Sequence, residues 1–437
     1  MVKKYSVTYD AKAAYSQDGP IHASYEPYQF PKQKVQREHA DGQAYDLIWV
    51  PNSINFATQR RSSAKTEHLE APGAAGSRSN FHLLPSHRVT QVLMQERHKG
   101  DERTWKATGV KITARGATPK TDCYPTNFWN ITATREVVVS AGTLHTPQVL
   151  ERSGIGAKDI LYAAGVPVRV NLPGVGWNLQ DHMNFNMQWK YNKRVFPMPE
   201  DLQKNATFAA EALAEWNANK SGPYTVRYNN GAFLSLAVVT EKADAIVAEI
   251  LGQDVEPILP LHLDPTLVAG VKEMYKVIAK QYASGESAVV EIPLGTADVN
   301  RIVSLKVLSR GSIHIGPRDD GFTQGDEEPI LDYLTFSNPI DKGVVIEIIK
   351  RSIAGASVKT DKEIGDWFLD NISPGRAHPV GTARIGPREL GGVLRPDLTV
   401  YDTYGLSVAD NSVIPIIASA HTATSAYAIG EKAADLR

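Results

Sequence analysis

The hydrophobic pattern divides the chain into stretches with different periods. The first forty-odd residues are rich in Tyr, Gln and Pro and carry little periodicity. They predict an extended arm or lid over 1–45 that packs on something larger, the substrate-side domain. From about Tyr45 short β-type runs follow: Phe81–Leu84 and Val89–Leu93, separated by Pro85-Ser86, then Thr108–Ile112. At Glu136-Val-Val-Val-Ser-Ala-Gly142 the pattern sharpens into a buried apolar strand that ends in glycine. Behind it Thr146 suits an N-cap with Pro147 at the first helical position, and Ser153-Gly154 closes a short helix. A strand feeding a helix through an Ala-Gly turn is α/β organisation.

From about Trp177 to Ser373 the period changes. Phe208, Ala212, Leu213 and Trp216 share one helical face, as do Leu267, Val271, Met274 and Ile278, and Ile340, Val344 and Ile348 mark a further helix. Val303, Leu305 and Val307 alternate with Ser304 and Lys306, and Ser312–Ile315 continues as a strand. The expected fold class is α/β plus α+β. An antiparallel-sheet domain over 176–386 is inserted between two pieces of one α/β domain, 46–175 and 387–437. The chain shows no internal repeat, heptad or long low-complexity tract.

Composition narrows the class. A chain of 437 residues with 42% hydrophobic and 22% charged positions can bury a large core. Lys plus Arg (47) nearly equal Asp plus Glu (48), which argues against a nucleic-acid binder, whose affinity comes from clustered basic residues. No stretch approaches the ~20 apolar residues of a membrane-spanning helix, so no membrane partner is expected. The start MVKKYSVTYDAKAAYSQ lacks the apolar core of a secretory leader, which sets the expectation of a cytoplasmic protein. One cysteine, Cys123, leaves no internal disulfide framework or Cys-rich zinc site, and no metal is expected.

Candidate chemistry lies in GTLHTPQVLERSGIG (142–156), LPGVGWNLQDH (172–182), AHPVGTARIG (377–386) and SVADNSVIPIIASAHTATSAYAIGEKAADL (407–436). On residue type alone each admits a plain account. Ala141-Gly142 is a strand-to-helix turn that lets a backbone pass close to a ligand. Val89 is a core strand residue, and Asp410 is a turn-forming residue. His378 and His421 sit among small neighbours that leave room for a substrate carbon, and a histidine titrates near neutral pH as a general base should.

Together these segments resemble the glucose-methanol-choline (GMC) family of flavin oxidoreductases, in order and over essentially the whole chain. The first fills every position of that family's second signature pattern. The resemblance implies FAD as cofactor, with Ala141 and Gly142 passing close to it and the Val89 backbone contacting its adenine. It places Asp410 and Asn411 beside the flavin ring and backbone at His421-Thr422 near its pyrimidine end. It implies His378 as the base for the alcohol proton and His421 as the partner that hydrogen-bonds the oxygen, with hydride leaving to the flavin. The substrate class is then a small primary or secondary alcohol. His rather than Asn at 421 is similar to the aryl-alcohol and sugar-oxidising branches. The Trp216-Asn and Ser221-Gly-Pro-Tyr224 region resembles fungal members, which implies secondary metabolism.

One departure matters. Members of the family begin with a strand, a G-x-G-x-x-G turn and a helix that holds the FAD pyrophosphate, and this chain has no such motif. The expectation is an N-terminally shortened member with an incomplete FAD-binding domain. About the first third of a full-length relative, with the pyrophosphate cradle, is missing. Such a chain binds FAD weakly by itself or takes the dinucleotide fold from a separate polypeptide. The rival functions are a non-redox acid–base enzyme, such as a cyclase or dehydratase, and a catalytically dead subunit.

Overall fold

The structure is a computed structural model that describes residues 19–25, 27–31, 46–99, 102–115, 128–188, 195–226, 230–294, 299–319, 327–352 and 360–437. Cys123 and most of the arm expected over 1–45 lie outside the described residues. The inserted region is built on a six-stranded antiparallel sheet in the order Asp46–Trp49, Asn230–Ser235, Ala288–Leu294, Val299–Ser304, Met183–Gln188, Ile372–Ser373. Strand Asp46–Trp49 thus lies on this sheet, apart from the strands that follow it in sequence.

Helices Ala243–Gly252, Pro265–Ala283, Pro339–Ser352 and Asp361–Asn371 pack on the sheet through Phe185, Val271, Ile278, Val290, Ile302, Val344, Ile348 and Phe368. Their ends are chemically marked. Asp264 accepts from Thr266 N at 2.9 Å with Pro265 in the first turn, and Thr360 and Glu363 form a reciprocal capping box.

The other body contains the long hairpin His87–Lys99/Glu102–Ala114, extended by Phe128–Thr132. Two parallel contacts bring the C-terminal segment back to it: Thr403–Tyr404 on Trp105–Lys106, and Leu406–Val408 on Val137–Val139. Val92, Trp105, Val139, Leu150, Leu172, Leu394, Val400, Leu406 and Val408 form its core. A strand pair of this kind joins residues some 270 positions apart, so the two sequence pieces form one core.

Several local expectations need correction. Phe81–Leu84 forms no strand; Leu83 and Leu84 are more than half exposed, and the hairpin starts only after Pro85-Ser86, with Ser86 at φ +58°. Val137–Val139 is not buried on both faces, because Val138 is 46% exposed and lines a cleft. Leu213 is exposed, so the stripe of helix Ala206–Asn219 narrows to Phe208, Ala212 and Trp216. Ser304 and Lys306 are buried like their apolar neighbours.

The helix after the Ala-Gly turn also begins a turn earlier than its Thr-Pro pair suggests. It spans Gly142–Arg152 with Ala141 as N-cap and Pro147 inside. An internal proline removes the N–H that would bond the carbonyl four residues back. Here the Thr382 hydroxyl donates to the Thr143 carbonyl at 2.6 Å instead, so the proline leaves no orphan acceptor. Among the described residues no helix is long and apolar enough to cross a membrane, and no His/Cys/Asp/Glu group could hold a metal ion.

Candidate active site

The site is assembled by a run of polar residues that the fold buries. Asn178, Gln180, Asp181 and His182 are exposed by only 1%, 1%, 4% and 0%, so their polar atoms depend on protein partners, which all but Asn178 Oδ1 and Asp181 Oδ2 find among the described residues. Asn178 Nδ2 and Gln180 Nε2 both donate to the Pro415 carbonyl, at 3.1 and 3.0 Å, and Ile417 N donates to Gln180 Oε1 at 3.1 Å. Gln180 also pairs with Val380 through backbone hydrogen bonds. The run therefore fastens the loop of His378 to the loop that leads to His421.

Asp181 fixes His378 directly. Its Oδ1 accepts the amides of His182, Arg376 and His378 at 2.7, 3.0 and 3.0 Å. Between the last two, Ala377 stands at φ +61°, a left-handed conformation unfavourable for a residue with a Cβ. One carboxylate oxygen holding the amides on both sides keeps the backbone there. Thr143, in the first turn of helix Gly142–Arg152, donates to the Pro379 carbonyl at 2.7 Å and ties the same loop to that helix.

Three imidazoles then meet. The His182 and His378 rings stand edge to face with centroids 5.2 Å apart, and their Nδ1 atoms are 3.0 Å apart. The His378 and His421 rings are 5.1 Å apart and tilted by 34°. His421 donates from Nε2 to Glu291 Oε1 at 3.0 Å, and Glu291, in strand Ala288–Leu294, is 2% exposed. His421 is delivered by a turn in which Ser419 donates to the Ala288 carbonyl, just before helix Ala423–Asp435.

Burial sets the protonation of the inner pair. Desolvation first, and then the neighbouring His378, push His182 down to about 3. Desolvation and then His421 push His378 down to about 4, against an opposing pull from Glu291. Both are neutral at pH 7. Lys306, which donates to the Ile417 carbonyl at 3.3 Å, is pushed down to about 8 by burial and by Arg310.

The sign of the resulting pH dependence is fixed. Unfolded histidines take protons near pH 6.5, and the folded ones do so only near 3 to 4. The stability they contribute is complete above pH 6.5 and is lost as pH falls through that window. In His182→Asn, urea-unfolding free energies should therefore fall less steeply between pH 6.5 and 4.5. The slope should differ from wild type by up to ~1.4 kcal/mol per pH unit for one proton. Parallel curves would mean that His182 is not held neutral.

A cleft of about 410 Å³ lies in front of strand Val137–Val139 and the helix after it, lined by Val89, Val110, Arg115, Val137–Ala141, His145 and Gln148. Gly142, at φ +81° with open space where a Cβ would stand, closes the turn at its end. Asp410 organises this turn: Oδ2 accepts Gly142 N at 2.9 Å and the Thr146 hydroxyl at 2.6 Å, while Oδ1 accepts Ser412 N at 2.8 Å. Asn411 donates from Nδ2 to the Thr422 carbonyl at 3.1 Å. Asn411 Oδ1 and the Ser412 hydroxyl are buried without a partner among the described residues.

The structure thus brings His378 and His421 together, puts Val89 and Ala141 on the cleft wall, and joins Gly142, Asp410, Asn411 and Thr422 in one hydrogen-bonded cluster. His182, Asp181 and Glu291 were not singled out by sequence. Their signal was present as a cluster of polar residues in 178–182 and a lone acid inside the apolar run Ala288–Leu294.

Comparison with known proteins gives the same frame. The GMC oxidoreductase family matches over residues 5–184 with its N-terminal part and 308–430 with its C-terminal part. The dehydrogenase xptC of Emericella nidulans is 30% identical over 96% of this chain and 69% of its own length. Pyranose dehydrogenase 2 of Leucoagaricus meleagris is 27% identical over 91% of the chain and 62% of its own length. The chain thus spans about two thirds of the length of such relatives. Among solved structures, an FAD-dependent oxidoreductase from Chaetomium thermophilum superposes with a TM-score of 0.87 at 29% identity, over 100% of this chain and 76% of that one. A fungal aryl-alcohol oxidase does so with a TM-score of 0.86 at 32% identity, over 100% and 75%. The chain belongs to the GMC oxidoreductase family.

Proposed function

We propose that this chain carries the substrate side of an FAD-dependent oxidoreductase that converts a small primary or secondary alcohol to the carbonyl compound. The observation that carries the reading is the convergence of His378 and His421, with ring centroids 5.1 Å apart, on loops held by Thr143 at Pro379 and by Asn411 at Thr422. The residues present fit the cofactor. The Gly142 turn admits close approach of a planar group, and Asn411 Oδ1 and Ser412 Oγ are buried polar atoms in want of a partner. Val89, Ala141, Asp410 and Thr422 would be among the residues that hold it.

FAD, when bound, supplies the two-electron acceptor for hydride from the carbinol carbon. The chain's own residues do the rest. Neutral His378 takes the hydroxyl proton at Nε2, an atom that no described residue hydrogen-bonds. His421, held by Glu291, orients the same oxygen. Glu291 fixes the His421 ring and Asp181 the backbone of His378, so that one oxygen meets both rings.

The test is spectroscopic. FAD is added to the purified chain, and to a form extended upstream by a dinucleotide-binding unit, and free flavin is removed by gel filtration. Anaerobic addition of primary, secondary and aryl alcohols should bleach the retained flavin. Retained flavin that no alcohol bleaches would favour the acid–base alternative, and no retained flavin in either form would favour a non-catalytic subunit.

A further inference from the structure

We propose that His182 is a positioning residue that sets the tautomer of His378, so that the lone pair of His378 lies on Nε2. The inference rests on the function proposed above only for its meaning in catalysis; the tautomer itself follows from hydrogen-bond chemistry. His182 is fully buried, and its Nε2 lies 3.1 Å from the Ala418 carbonyl oxygen. A carbonyl oxygen only accepts, so the His182 proton is on Nε2. A neutral imidazole then has a bare Nδ1, which can only accept.

That Nδ1 lies 3.0 Å from His378 Nδ1. Two bare nitrogens at this separation would repel, so His378 must donate from Nδ1. Neutral His378 in turn has its lone pair on Nε2, where a general base needs it. Without the contact, the His378 ring would be free to carry its proton on Nε2 and would face the alcohol with a donor. The chain of polarity runs from the Ala418 carbonyl through two rings to the alcohol oxygen. When His378 takes the alcohol proton, its Nδ1–H bond to His182 becomes charge-assisted and no second proton moves.

The surroundings keep His182 in the accepting role. Lys306 and the rings of His378 and His421 disfavour a positive charge on it, as does its own burial. Asp181 Oδ1 is taken by three backbone amides, and neither carboxylate oxygen hydrogen-bonds the His182 ring among the described residues.

The experiment is long-range ¹H–¹⁵N NMR of the chain labelled with ¹⁵N-histidine at pH 7, with signals assigned by single substitutions. It needs no flavin. Wild type should show His378 protonated at Nδ1 and His182 at Nε2. His182→Asn places an amide oxygen near the position of Nδ1 and should keep the His378 tautomer. His182→Leu offers no acceptor and should move His378 toward the Nε2–H form. In flavin-loaded protein, His182→Leu should slow flavin reduction by an alcohol about 10- to 100-fold, a part of the roughly 10²–10⁴-fold that a general base contributes, and His182→Asn should recover most of it. A wild-type His378 protonated at Nε2 overturns the proposal, as does a His182→Leu protein that keeps Nδ1–H. If His182→Leu fails to fold, the wild-type tautomer and His182→Asn still decide. Correct tautomers with no alcohol-dependent bleaching would instead leave this inference standing and remove the proposed function.

Discussion

Alanine at position 378 should lower the rate of flavin reduction by a good alcohol by at least ~10²-fold, the effect typical of losing a general base. The measurement is anaerobic stopped flow in flavin-loaded protein. The argument starts from protonation: a ring held down to about 4 is neutral, and ready to accept a proton, across the whole neutral range. The rate should therefore stay flat from pH 8 down to about 5 and fall only in stronger acid. His421 needs a more careful variant. Alanine there leaves Glu291, 2% exposed, as a buried carboxyl without its ring partner, and so mixes a loss of orientation with a cost in stability. His421→Asn keeps a donor and separates the two. His421→Asn should slow reduction less than His378→Ala. The double variant should lose less than the product of the single losses, because the two rings hold one oxygen. Wild-type rates in His378→Ala would make that ring structural.

What was legible in the sequence depended on how local the physics is. The Gly142 turn, the two histidines among small residues and Asp410 beside Asn411 are each marked within a few positions, and they meet in space. The helical stripe Leu267–Ile278 is fully buried because its period matches the helix. Legibility failed where the deciding partner is remote. Thr146-Pro147 is a sound helix start, yet Asp410, 264 positions away, takes the Thr146 hydroxyl, and Thr382 supplies the donor that Pro147 lacks. Ser304 and Lys306 alternate as surface residues would, but a second layer covers their face. His182 could not be distinguished from a structural histidine, since its meaning comes from His378, 196 positions on. Glu291 is the same case at a separation of 130.

Replacing Asp319 with alanine should destabilise the protein by about 3–5 kcal/mol, the range for removing one partner of a buried ion pair. Arg152 ends helix Gly142–Arg152 and meets Asp319 in a two-pronged contact, Nε to Oδ1 at 2.9 Å and Nη2 to Oδ2 at 2.8 Å, with both side chains 1% exposed. Next to it, Glu151 accepts the Ile315 amide and the His314 ring, so the last turn of the helix is anchored at two places to strand Gly311–His314 and the segment that follows it. Burial, more than the nearby Asp319, pushes the Glu151 carboxyl up, while its bonds to His314 and Ile315 pull it down. Asp319→Ala strands a buried guanidinium that keeps, among the described residues, its bond to the Glu327 carbonyl but no carboxylate bond. The double variant Arg152→Met/Asp319→Leu removes both charges and should recover most of the loss, because a buried pair adds little over apolar packing once desolvation is counted. Urea midpoints of the three proteins measure this. The position of the pair predicts a second effect. The start of the same helix carries Gly142 and Thr146, which bond Asp410, and Thr143, which bonds the His378 loop at Pro379. Loosening its far end should therefore weaken flavin retention in Asp319→Ala and not in the double variant. A single variant as stable as wild type would show that Arg152 reaches water, and the anchoring role of the helix end would fall with it.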